Sequence, residues 1–317
     1  MSATRFHSRV RAGLVLAALV ATGCSSSGAT ISPASSATSV GATQSAAHTT
    51  APATTTAPAT LPAGMNLVVV GDSIPFGGHF CPGCTAFVDE YAKAIQQRTG
   101  QQVNVANRSR DDGAGVQQIV EQVTSDAALQ ADLAQANIVI VSVGANNALP
   151  DYSNPPPGGF PAGCDAVAPG ISDAIIGHIV ATTPHCNEAT AAAWAKDYAT
   201  IFTKISEIRS GKPTVFIALN AYDGNINNPD IKAALDATTF AATEKLIVDA
   251  YDQWNTMLCK QAEASGFVCV DLYHLMNGPH GAQPPGDLVI DGTHPSQKGN
   301  DMIAALLAKV DVSTVVH

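Results

Sequence analysis

Five short apolar runs are spaced along residues 66–271, with helix-patterned segments between them. No other feature restricts the fold so tightly. Asn66-Leu67-Val68-Val69-Val70 ends at Gly71, and Ile138-Val139-Ile140-Val141-Ser142-Val143 is the clearest run. Val103–Ala106, Thr214–Leu219 and Val268–Asp271 are the others. Continuous apolar runs of this length fit strands buried on both faces, as in parallel sheets. Helical spacing marks Phe87–Arg98, Val116–Leu133, Trp194–Ile208, Thr239–Ala264 with Gly266 as its end cap, and Gln297–Lys309. This alternation predicts an α/β fold with a mostly parallel five-stranded sheet and right-handed crossovers. Residues 149–190, with Pro155-Pro156-Pro157-Gly158-Gly159, break the rhythm. They read as a surface insertion with little regular structure and one helix near Ile171–Val180.

The segment ahead of the first run is a different material. Sixty consecutive residues, from Ala12 to Gly71, carry no formal charge. Arg5, Arg9 and Arg11 precede the apolar stretch Ala12–Val20, which is of signal-peptide length and too short to span a bilayer as a helix. Ala21-Thr22-Gly23-Cys24 resembles a bacterial lipoprotein cleavage box with Cys24 as the lipidated residue. Residues 1–23 are therefore expected to be a signal peptide. Residues 24–64, rich in Ser, Thr, Ala and Pro, are expected to be a lipid-bearing spacer, because they cannot bury enough apolar surface to offset ordering entropy. Residues 65–317 form the remaining domain.

The whole chain carries −10, and losing residues 1–23 removes three Arg and no acid, leaving 13 basic against 26 acidic residues. That balance argues against nucleic-acid binding, which needs a basic face. A body so acidic would not adhere to anionic lipid by itself, so membrane contact would come through Cys24. The expected location is the outer face of the bacterial cytoplasmic membrane, or the medium if the chain is secreted. A monomer is expected.

Setting Cys24 aside leaves six cysteines, an even number consistent with three disulfides in an exported protein. Fifteen connectivities are open. Cys81–Cys84, Cys164–Cys186 and Cys259–Cys269 carry the lowest loop-closure cost. Cys81-Pro82-Gly83-Cys84 also resembles a thiol-redox motif. No second Cys or His pair follows at zinc-finger spacing, so neither a metal nor a cofactor is expected.

In parallel α/β sheets, ligands sit beyond the carboxyl ends of the strands. Three segments occupy such places: Gly71-Asp72-Ser73, Gly144-Ala145-Asn146-Asn147 and Asp291-Gly292-Thr293-His294. Together they offer a hydroxyl nucleophile, a base, a carboxylate to orient it and an amide donor. A serine needs a general base to become nucleophilic. A carboxylate three residues before His294 can reach its imidazole and set its tautomer. Asn146 and the Ser73 amide can donate to a tetrahedral oxyanion.

These motifs resemble the SGNH hydrolases, also called the GDSL esterase/lipase family, over about residues 65–310. The resemblance implies a flavodoxin-like three-layer α/β/α sandwich and metal-independent hydrolysis of carboxyl esters. It assigns catalysis to Ser73, Asp291 and His294, and the oxyanion hole to Ser73, Asn146 and a glycine after the second strand. Gly113 is the expected glycine, although Asp112 sits closer to the usual spacing from Asn107. The carboxylate of Asp112 disfavours it beside an oxyanion. Asn147 stands where the family has Asp.

Weaker candidates are His79, Phe76 and Phe80 as pocket walls, Asp72 as a support for the turn, and His274 and His280 as surface or supporting residues. The expected substrate is an ester, either a glycan or cell-envelope acetyl ester or a lipid. A non-catalytic cell-surface binding module is the reading from another class.

Overall fold

The computed structural model describes residues 64–77, 80–149, 155–165, 183–224, 226–227, 232–233 and 235–316. The signal peptide, Cys24, all of the spacer but Gly64, His79 and the helix expected at Ile171–Val180 lie outside them. In chain order the elements are β1 (Met65–Gly71), α1 (Ser73–Phe76), α2 (Phe87–Thr99), β2 (Val103–Asn107), α3 (Val116–Ser125), α4 (Ala127–Leu133) and β3 (Ile138–Ser142). There follow α5 (Pro184–Ile208), β4 (Val215–Leu219), α6 (Ala237–Ala264), β5 (Val268–Val270), α7 (Leu272–Asn277) and α8 (Gln297–Leu307).

The five strands form one sheet in the order β2-β1-β3-β4-β5. Every pairing is parallel, with Leu67 of β1 opposite Val105 of β2 and Ile138 of β3. The central strands explain the apolar runs: all seven residues of β1 and all five of β3 are buried. The right-handed crossover rule fixes the layers. The step from β1 to β2 runs one way along the sheet, and every later step runs the other way. Hence α2 belongs to one face, and α3, α5 and α6 to the other. The packing agrees, since α2 lies against α8 while α5 lies against both α3 and α6. Trp194 of α5 and Trp254 of α6 meet edge to face at 6.1 Å and are buried.

Strand order reverses between β1 and β3, and the crevice at that point is where doubly wound sheets place ligands. Both strands deliver a sequence-identified segment there. Gly71 is required because a Cβ would collide with the Ser142 carbonyl.

Some expectations need correction. The single helix expected over Val116–Leu133 is two helices. Asp126 takes an extended conformation between them, and its Oδ1 accepts the Ala128 and Leu129 amides to cap α4. The irregular insertion expected over 149–190 ends earlier, because α5 already starts at Pro184 with Thr183 capping the Cys186 amide. Proline is favoured at the first helical position, where its missing N–H costs nothing. Asp271 leaves β5 to cap α7 through the His274 amide. The disulfides pair Cys81 with Cys84, Cys164 with Cys186 and Cys259 with Cys269, at Cα separations of 5.4, 5.6 and 5.4 Å. They cross-link the α1–α2 loop, the segment before α5 to its first turn, and α6 to β5.

Candidate active site

Ser73 is the first residue of α1, where a backbone N–H has no partner within the helix. Asp72 caps that turn, with Oδ1 accepting the Ile74 amide at 3.0 Å. Its Oδ2 accepts the Gly144 and Ala145 amides at 3.0 and 3.2 Å. One carboxylate thus ties the end of β1 to the loop after β3. Asp72 is fully buried, and desolvation raises its pKa to about 6 against the pull of these amides. The sequence reading of Asp72 as a turn support understates it, since it also fixes the loop that carries Asn146.

His294 faces Ser73 from the other end of the chain. Its Nε2 lies 2.9 Å from Ser73 Oγ, and its Nδ1 lies 2.7 Å from Asp291 Oδ2. Asp291 Oδ1 accepts the Thr293 and His294 amides at 3.0 and 2.7 Å. Partial burial would raise the Asp291 pKa, but these amides and the imidazole together hold it below the usual value. An ionised carboxylate only accepts, so Nδ1 carries the proton and Nε2 accepts from the Ser73 hydroxyl.

The His294 loop is held by residues that carry no recognisable chemistry. The Tyr222 hydroxyl donates to the Thr293 carbonyl. Gly224 lies so near Gly292 that a Cβ would strike its carbonyl oxygen. Phe80 stacks on the His294 ring at 3.7 Å and 8°. Phe80, expected as a pocket wall, thus packs on the base itself, and nothing in the sequence alone marks Tyr222 or Gly224. Only their place just after β4 could have flagged the last two.

Asn146 donates from Nδ2 to the Ala114 carbonyl at 2.9 Å. Asn147 accepts the Val116 amide at 2.9 Å and so caps α3. That task needs an acceptor oxygen, which Asn supplies as well as Asp. Gly113 is exposed with φ 77°. The Asp112 carboxylate is turned to Arg110, whose Nε donates at 3.0 Å. The repulsion that favoured Gly113 over Asp112 is therefore already neutralised by a partner.

Asp271 and His274 repeat the Asp-x-x-His geometry, with Nδ1 at 2.6 Å from Oδ2, at the end of β5. Ser73 belongs to the other pair. His280 is exposed, and Phe76 is half-buried. A cavity of about 50 Å³ adjoins the site, walled by Ile74, Ala145, Tyr222, Tyr251 and Thr293 above Asp72. Its walls are the neighbours of Ser73, Asn146 and His294 rather than those residues themselves. Among the described residues, no group of three or more His, Cys, Asp or Glu is arranged to hold a metal ion.

This fold and this cluster of side chains define a class, the parallel-sheet ester hydrolases. The family model of the GDSL-like lipase/acylhydrolase family matches residues 69–302. The chain belongs to that family and is a carboxylic ester hydrolase. Among solved structures it is similar to a lipase from a goat rumen metagenome, at 16% identity and TM-score 0.55 over 77% of this chain and 95% of that one. A lipase/acylhydrolase from Enterococcus faecalis matches at 18% identity and TM-score 0.47, over 77% and 94%. An acetylxylan esterase from Geobacillus stearothermophilus matches at 16% and 0.47, over 78% and 95%. No curated protein matches the chain.

Proposed function

We propose that the chain is an exported serine esterase acting through Ser73, His294 and Asp291. The observation that carries this reading is the hydrogen-bonded line from Asp291 Oδ2 through both His294 nitrogens to Ser73 Oγ, at 2.7 and 2.9 Å. Ser73 Oγ attacks the ester carbonyl while His294 Nε2 takes its proton. The tetrahedral oxyanion is met by the Ser73 amide, by Asn146 Nδ2 and by the backbone amide of Gly113 or Asp112. One such donor is worth about 2.7–4 kcal/mol. His294 then gives its proton to the departing alcohol, leaving an acyl-Ser73. Water attacks that ester as His294 takes one of its protons. Collapse releases the acid and returns a proton to Ser73.

The substrate we propose is a short acyl ester, of the kind carried as acetyl groups on cell-envelope glycans. The cavity of about 50 Å³ beside the site supports this, since it holds only a few water-sized groups. A lipid anchor on Cys24 and a monomeric state complete the proposal. A fluorophosphonate probe should label wild-type protein at Ser73 and leave Ser73→Ala unlabelled. Equal labelling of a folded Ser73→Ala variant would refute the assignment. A function untouched by Ser73→Ala would point instead to a binding module.

A further inference from the structure

Phe80 directly precedes the loop closed by Cys81 and Cys84, and its ring lies flat on the His294 imidazole at 3.7 Å and 8°. We infer that Phe80 is a positioning residue for His294, favouring the protonated imidazole that exists only during proton transfer, and that the Cys81–Cys84 cross-link keeps it in place. This rests on the assignment of His294 as general base.

The geometry supports two effects. A ring against one face stops the imidazole tilting, so Nδ1 stays on Asp291 while Nε2 stays on Ser73. An aromatic face also attracts a cation through its quadrupole. The neutral imidazole of the resting enzyme gains little from this. The imidazolium formed as Ser73 Oγ–H is broken gains fully. Interactions stronger in the transition state than in the ground state raise kcat and leave KM alone. Among the described residues, the charged groups facing His294 are Asp291 on its own loop and the buried Asp72 beyond Ser73. Both carboxylates remain when Phe80 is replaced, so the change isolates the ring.

Phe80 has a short tether. Cys81 follows it directly, and the Cys84 amide donates to the Cys81 carbonyl at 2.9 Å. Ala86 then caps α2, and the Thr85 amide donates to Gln297 Oε1 of α8 at 2.7 Å. The cross-link thus fastens Phe80 to a segment already pinned to the helix that follows His294.

The test compares Phe80→Leu, Phe80→Tyr and Cys81→Ser/Cys84→Ser on a soluble short-chain ester across pH. Phe80→Leu is expected to lower kcat by roughly 3- to 30-fold, the range of a partly desolvated cation–π contact, with KM nearly unchanged. The acid limb of its pH–rate profile should move to lower pH, because losing the ring disfavours the imidazolium. Phe80→Tyr should restore both. The cysteine pair should act in the same direction, and adding it to Phe80→Leu should cost little more. If Phe80→Leu does not fold, Phe80→Met carries the same test. Wild-type kcat and pH profile in a folded Leu or Met variant would overturn the inference, as would a loss borne mainly by KM. Activity surviving Ser73→Ala would instead remove the assignment beneath it.

Discussion

Asp72 shows how one side chain can serve geometry at a cost in stability. It accepts three amides, one from Ile74 beside it and two from the loop 72 and 73 positions further on, and it is buried. The folded protein keeps its proton up to about pH 6, against 3.8 for the ordinary carboxyl. Between those values the native state binds a proton that the unfolded chain releases, so this group's contribution to stability falls as pH rises. The cost is complete above about pH 6 and amounts to roughly 3 kcal/mol. Denaturation of wild type and Asp72→Asn from pH 4 to 7.5 should therefore show the wild type losing ground to the variant by about that much. A constant difference across the range would refute the shift. The variant should still lose activity, because an amide cannot accept all three N–H groups. Asn146→Ala tests the other arm of the clamp. If Asn146 meets the oxyanion, kcat should fall by about 10²–10³-fold while the far-ultraviolet spectrum stays native.

At the scale of elements, burial decided what could be read from the sequence. The runs that became β1 and β3 were plain because both of their faces are covered. The boundary between α3 and α4 was hidden, since Asp126 sits inside an unbroken apolar period and reveals itself only by capping. Pro184 misled in the opposite sense. It lies inside the stretch that reads as an irregular insertion, whereas in place it opens a helix. The polar site residues were legible because each follows a strand or precedes the last helix. Tyr222 and Gly224 were not, and Phe80 only as a wall, because an aromatic or a glycine becomes informative only when a segment distant in the chain arrives against it. Asp271 and His274 teach the converse: the spacing produces the hydrogen bond wherever it occurs, and only the neighbouring serine distinguishes one pair from the other. The Cys259–Cys269 bridge closes a short loop between α6 and β5. Replacing both cysteines with alanine should lower unfolding stability by about 3 kcal/mol, read as a shift in the denaturation midpoint.

For the whole molecule, the proposed substrate class turns on whether the acyl group enters the cavity beside the site. An acyl chain seated in that cavity of about 50 Å³ would be short, so acetyl and propionyl esters should be turned over far faster than palmitoyl esters of the same alcohol. A nitrophenyl ester series from two to sixteen carbons checks this, and a maximum at long chains would favour a lipase. The same series with Ser73→Ala separates enzymatic from spontaneous hydrolysis.

Ser73 and His294 stand 221 positions apart in the chain. On the ribosome the nucleophile's strand is therefore made long before its base. β1 lies between β2 and β3, so this strand can recruit its partners while the base is still missing. A nascent or truncated chain lacking the His294 loop and α8 has a serine with nothing to take its proton. Hydrolytic power is thus withheld until the His294 loop has been made and has reached the sheet. In refolding, recovery of ester cleavage should trail formation of the sheet.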